Sequence, residues 1–164
     1  MMSLRVVAIC AAAALVWITA ASKVPSQEKL ALAAIVSGAV MTQPFGCSSL
    51  LLEPFDPYCP SRHVHTGVDL AAPSGTAVRA ASGGVAAVGF DPGGAGLYVT
   101  VAVDSHVRVL YCHLSVVLVS PGERVVSGGP IGKVGSTGLA TGAHLHLEVQ
   151  VDGRAVDPTV WLAS

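Results

Sequence analysis

Residues 84–103 read GVAAVGFDPGGAGLYVTVAV. In the second half, Leu97, Val99, Val101 and Val103 alternate with Tyr98, Thr100 and Ala102. That period of two marks a strand with one face buried. The first half, Gly84 to Phe90, is a second apolar run. Between them, Asp91-Pro92-Gly93-Gly94-Ala95-Gly96 concentrates turn residues, so the two runs are expected to fold back on each other as a hairpin.

The same grammar continues along the chain. Asp104-Ser105-His106 is a second turn that leads into Val107–Leu114. Pro121-Gly122 and Gly128-Gly129-Pro130 punctuate short Val/Ile segments, and Leu145, Leu147, Val149 and Val151 alternate with His144, His146, Glu148 and Gln150. No long helix is expected after residue 36. The expected fold class is all-β, a compact antiparallel sheet domain with Gly-rich turns. It is assigned residues 37–164, with 22–36 as a linker or helical lead-in.

The N-terminus has a different character. Arg5 precedes an apolar run from Val6 to Ala21 that ends in small residues, the pattern of a secretory signal peptide. The run falls short of the roughly 20 residues that span a bilayer, which favours cleavage over a membrane anchor. Residues 1–21 are thus read as a signal or anchor, and the protein as secreted or extracytoplasmic. Three cysteines follow the run: Cys47, Cys59 and Cys112. In an oxidising compartment Cys47 and Cys59 are expected to pair across a turn-rich loop. Nine Lys+Arg against ten Asp+Glu leave no basic face for nucleic acid.

Six histidines carry most of the chemistry available to this chain. His144 and His146 are two apart on a strand and project to one face, opposite Leu145 and Leu147. Glu148 shares that face, as an orienting carboxylate or a surface one. His65-Thr66-Gly67-Val68-Asp69 adds a histidine and a carboxylate four apart. Such a pair suits zinc, with the acid binding directly or orienting a histidine. Gly67 lets the backbone turn or approach closely. Along 107–114, Val109, Tyr111 and His113 are assigned one face and Leu110, Cys112 and Leu114 the other. His113 then faces a cleft and Cys112 packs inward. His63 is expected to line the groove or to be exposed, and His106 to face solvent in its turn.

In combination these segments are far more specific than alone. HTGVDLAAPSGTAV at 65–78, YCHLS at 111–115, PGERVVSGGPIGKVGSTG at 121–138 and HLHLEV at 144–149 resemble the lysostaphin-type (LytM-like) zinc endopeptidases of peptidoglycan. The resemblance covers roughly residues 37–164. It implies the lysostaphin-type fold, related to barrel-sandwich architectures. It implies one Zn2+ per chain on His65, Asp69 and His146, with His113 and His144 as catalytic histidines beside it. It implies peptidoglycan peptides as substrate, a place at the cell wall, and a monomer that meets a membrane only through its N-terminal segment. Cys112, Ala143 and Leu147 depart from the family's usual residues, which bears on substrate preference. With no His-Glu-x-x-His helix, the base must come from His113 or His144. The alternative within the family is a silent wall-binding regulator. Pro121-Gly122, Gly128 and Ile131-Gly132 also resemble biotinyl and lipoyl carrier hairpins, but Lys133 falls within a strand-like segment rather than at a hairpin tip.

Overall fold

The computed structural model describes residues 28–164; the expected signal or anchor at 1–21 lies outside them. Helix α1 is short (Leu32–Ile35). The first strands are β1 (Val40–Gln43), β2 (Gly46–Ser48), β3 (His63–His65), β4 (Val68–Ala71) and β5 (Ala77–Arg79). The long strands β6 (Gly84–Asp91), β7 (Gly96–Ala102) and β8 (Val107–Leu114) follow, then β9 (Val116–Val117), β10 (Arg124–Val125) and β11 (Pro130–Lys133). The chain closes with β12 (His144–Val151), β13 (Arg154–Val156) and helix α2 (Pro158–Ala163).

The expected hairpin is present, with β6 antiparallel to β7 and Asp91 opposite Gly96. The large sheet runs β1-β4-β12-β8-β7-β6-β10, with β13 on the end of β12. A smaller sheet runs β5-β11-β9, and β2 pairs with β3 alone. Every pairing is antiparallel. Lys133 sits in β11 between β5 and β9, not at a hairpin tip.

The alternation in β12 sets the two faces of the large sheet. Leu145, Leu147 and Val149 are fully buried and join Val68, Leu70, Val99, Val101 and Tyr111 in the core. Val78 and Ile131 of the smaller sheet close that core from the other side. The opposite face carries Asp69 of β4 and His144, His146 and Glu148 of β12, with Leu110 and Cys112 of β8 beside them. Ile35 and Val36 are also fully buried in the core, so the packed domain reaches back past the boundary drawn at residue 37. The Tyr111 hydroxyl accepts a hydrogen bond from the Ala81 amide, which satisfies the phenol inside the core.

Strand β8 corrects one expectation. Between the pairs Val99–Tyr111 and Leu97–Leu114, β8 fits Cys112 and His113 against the single residue Tyr98 of β7. His113 takes φ +61° to do so. This bulge re-aims the strand's side chains. Val109 and Tyr111 keep the core face, while Leu110, Cys112 and His113 all border the cleft described below. Cys112 is buried as expected but lies on the cleft side, opposite His146. Burial, reinforced by the charges of Glu148 and Asp69, pushes its thiol pKa up to about 12.

Candidate metal centre

Register brings the polar side chains together. His146 of β12 pairs with Asp69 of β4 on one side and Cys112 of β8 on the other. His65, at the end of β3, reaches the same point from the small β2–β3 sheet. Between β3 and β4 the backbone passes so close to β12 that only glycine fits at 67. A Cβ there would meet the Leu147 carbonyl and would sit 2.8 Å from His146 Nε2.

The His65 Nδ1–H donates to the Pro44 carbonyl at 2.9 Å. Because a carbonyl only accepts, the ring proton sits on Nδ1, and the neutral ring presents its lone pair at Nε2. That Nε2 lies 3.1 Å from Asp69 Oδ1 and 3.0 Å from His146 Nδ1. His146 Nδ1 is in turn 3.0 Å from the same Oδ1. A tetrahedral zinc with bonds of about 2.0–2.1 Å separates its ligand atoms by about 3.3 Å, so the triangle has the right size for one. The chemistry also fits, because two imidazole nitrogens and a carboxylate oxygen converge on one point and need a positive charge among them. Without a metal that charge is a proton. Burial opposes it on His146, but the carboxylates of Asp69 and Glu148 outweigh burial and raise the His146 pKa to about 9. Burial likewise opposes charge on Asp69, yet His146 and His65 beside it hold its carboxyl well below the usual range. Asp69 and the histidines at 65 and 146 form the one His/Cys/Asp/Glu group among the described residues with metal-holding geometry.

The two remaining expected site residues stand beside this triangle. The His113 Nδ1–H donates to the Thr137 carbonyl at 2.8 Å, and the His144 Nδ1–H to the Gly142 carbonyl at 2.9 Å. Both rings therefore keep Nε2 as the free atom. Their centroids are 4.7 Å apart, and His144 Nε2 is 3.7 Å from Asp69 Oδ1. Burial lowers the His113 pKa, as do His144 and His146 more weakly, while the bond to Thr137 works against the shift. All five side chains border a cleft of about 400 Å³. One wall is Leu50, Leu52 and Pro54; Ala95 and Leu139 are on another.

The other two histidines are elsewhere. His63 lies outside the cleft lining: its Nδ1–H donates to the Glu53 carbonyl at 2.7 Å and its ring meets Phe55 edge-on. His106 is exposed and pairs with Asp152. Thr137 had no assigned role in the sequence reading, although it lies inside the Gly-Ser-Thr-Gly segment. Its hydroxyl donates to the Leu114 carbonyl and accepts from the Leu97 amide, which fixes the carbonyl that holds His113. No local signal marks that role; the fit shows only in the fold, at two glycines far apart in sequence. A Cβ on Gly96 would strike Thr137, and one on Gly138 would strike Gly96.

Known proteins are similar to this chain. The chain is 45% identical over 95 residues to the DD-carboxypeptidase/endopeptidase Mpg of Neisseria meningitidis, covering 58% of this chain and 22% of that protein. It is 41% identical over 93 residues to the peptidoglycan DD-endopeptidase ShyA of Vibrio cholerae, covering 57% of this chain and again 22% of the relative. Among solved structures, the catalytic domain of lysostaphin from Staphylococcus simulans superposes with a TM-score of 0.68 at 29% identity, over 84% of this chain and 100% of that one. A zinc-containing peptidase from Vibrio cholerae gives 0.66 at 30% identity, over 80% and 40%. Residues 63–158, more than half of the chain, match Peptidase family M23, and the chain belongs to that family.

Proposed function

We propose that this chain is a zinc-dependent endopeptidase that hydrolyses peptide cross-links or stem peptides of bacterial peptidoglycan. The observation that carries the reading is the triangle of His65 Nε2, Asp69 Oδ1 and His146 Nδ1, with sides of 3.0–3.1 Å, facing two histidines whose Nε2 atoms are free. His65, Asp69 and His146 would hold the zinc, which when bound would supply Lewis acidity for activating the attacking water and the scissile carbonyl.

The chain's own groups divide the proton work. His113 is neutral at pH 7 because burial lowers its pKa, and its tautomer is fixed by the Thr137 carbonyl. Its Nε2 lone pair takes a proton from the attacking water and later returns it to the leaving amine. His144, whose Nε2 lies 3.7 Å from Asp69, would donate from Nε2 to the oxygen that gains negative charge once that nitrogen also carries a proton, since its Nδ1–H is held by the Gly142 carbonyl. The walls at Leu50, Leu52 and Leu139 shield an extended peptide from water. The Cys47–Cys59 disulfide supports an extracytoplasmic location, since such bonds persist in oxidising compartments.

Zymography on isolated cell walls tests the proposal. A clearing zone that a chelator abolishes and Zn2+ restores is the expected result. Binding to walls with no clearing under either condition would instead identify a silent wall-binding regulator.

A further inference from the structure

We infer that Glu148 is a positioning residue: its carboxylate holds the outer ring nitrogen of His146, so that Nδ1 and not Nε2 is the atom turned toward Asp69 and His65. This deepens the metal reading proposed above and rests on it.

An imidazole has two nitrogens, and the one offered to a metal is set by what the other meets. Glu148 follows His146 by two on β12 and so shares its face. Its Oε2 lies 3.6 Å from His146 Nε2, while His146 Nδ1 is 3.0 Å from Asp69. At 3.6 Å the contact is an ion pair rather than a hydrogen bond. The carboxylate is itself fixed on both oxygens. Oε2 accepts from the Thr66 hydroxyl at 2.6 Å, and Oε1 accepts from the Gln150 amide at 2.5 Å. Only 14% of the side chain is exposed, so this is not a solvated surface acid. Thr66 adjoins His65, so its bond to Glu148 ties the segment that carries His65 and Asp69 to the strand that carries His146. The close approach of Gly67 to Nε2 confines the same ring from its own side.

The test is a competition titration of the metal-free full chain with Zn2+ against a chromogenic chelator. Wild type, E148A, E148Q, T66V and D69A are compared, with thermal unfolding of each metal-free protein as the folding check. E148A should bind zinc roughly 10–100-fold more weakly, the usual consequence of removing a carboxylate behind a ligating histidine. E148Q keeps the shape of the side chain but not the charge that faces Nε2, so it should fall between wild type and E148A, as should T66V. Nitrogen-15 spectra of zinc-loaded wild type should show the His146 proton on Nε2. Wild-type affinity in E148A, with D69A unable to bind, would overturn the inference and leave the metal reading intact. If E148A does not fold, T66V with wild-type affinity overturns it instead. A wild-type chain that binds no zinc overturns both.

Discussion

His65 Nε2 and His146 Nδ1 stand 3.0 Å apart although 81 residues separate them, and both point at the same oxygen of Asp69. Lone pairs placed so close repel unless a cation or a proton lies between them. Replacing His65, Asp69 or His146 by Ala is therefore expected to reduce zinc content from one per chain to none and to abolish wall clearing. Metal analysis of the dialysed variants checks this. Retention of a full equivalent of zinc by any of the three would remove that residue from the set.

His113 and His144 should behave differently, because their free Nε2 atoms lie beside the triangle rather than in it. His113→Ala and His144→Ala should keep zinc and lose about 10²–10⁴-fold in rate, the usual contribution of a general acid or base. Parallel metal analysis and peptide-release assays separate the two roles. Loss of zinc along with activity would mean that the division between ligands and catalytic histidines is wrong.

The pH dependence follows from the direction of the His113 shift. Its pKa is lowered from 6.5, so the neutral, proton-accepting form persists as pH falls below that value. Activity at constant zinc content should hold through pH 6.5 and decline only on further acidification. An acid limb centred above 6.5, with zinc still bound, would show that another group is the base.

Strand parity carried much of this site into the sequence. The alternation from His144 to Val151 placed both imidazoles and Glu148 on one face, and the structure keeps that register. The same rule failed at residue 113, because a bulge adds a residue without leaving a local signature in YCHLS. His113 does reach the cleft, but through its positive φ rather than through alternation. Cys112 stays on the face of Leu110, as alternation requires, but that face borders the cleft rather than the interior. The roles of Thr137 and Thr66 were not legible, since each acts on a partner distant in sequence. Ile35 and Val36 looked like linker because their burial depends on the sheet they meet.

Gly67 is where backbone geometry and metal chemistry meet most tightly. A methyl group there would press on the Leu147 carbonyl and on the His146 ring. Gly67→Ala is expected to destabilise the fold by about 1–3 kcal/mol, as overpacking does, and to weaken zinc binding by displacing the ring. Denaturant unfolding of the metal-free protein gives the first effect and chelator competition the second. Unchanged stability and affinity would show that the β3–β4 connection yields easily.

The disulfide between Cys47 and Cys59 closes a loop that is also one wall of the cleft. Inside it, Glu53 accepts a hydrogen bond from Gln43 and its carbonyl accepts one from His63, so the wall is held at its base as well as by the sulfurs. The bond that orients His65 runs to Pro44, outside the loop. Replacing both cysteines by Ser should therefore cost about 3 kcal/mol of stability through the freer unfolded chain. It should leave zinc bound and raise KM more than it lowers kcat, because the wall and not the metal triangle is loosened. Steady-state kinetics on a soluble wall peptide, with metal content measured on the same samples, resolves these effects. A variant that loses zinc or kcat while KM stays unchanged would show that the loop supports the metal triangle rather than the substrate.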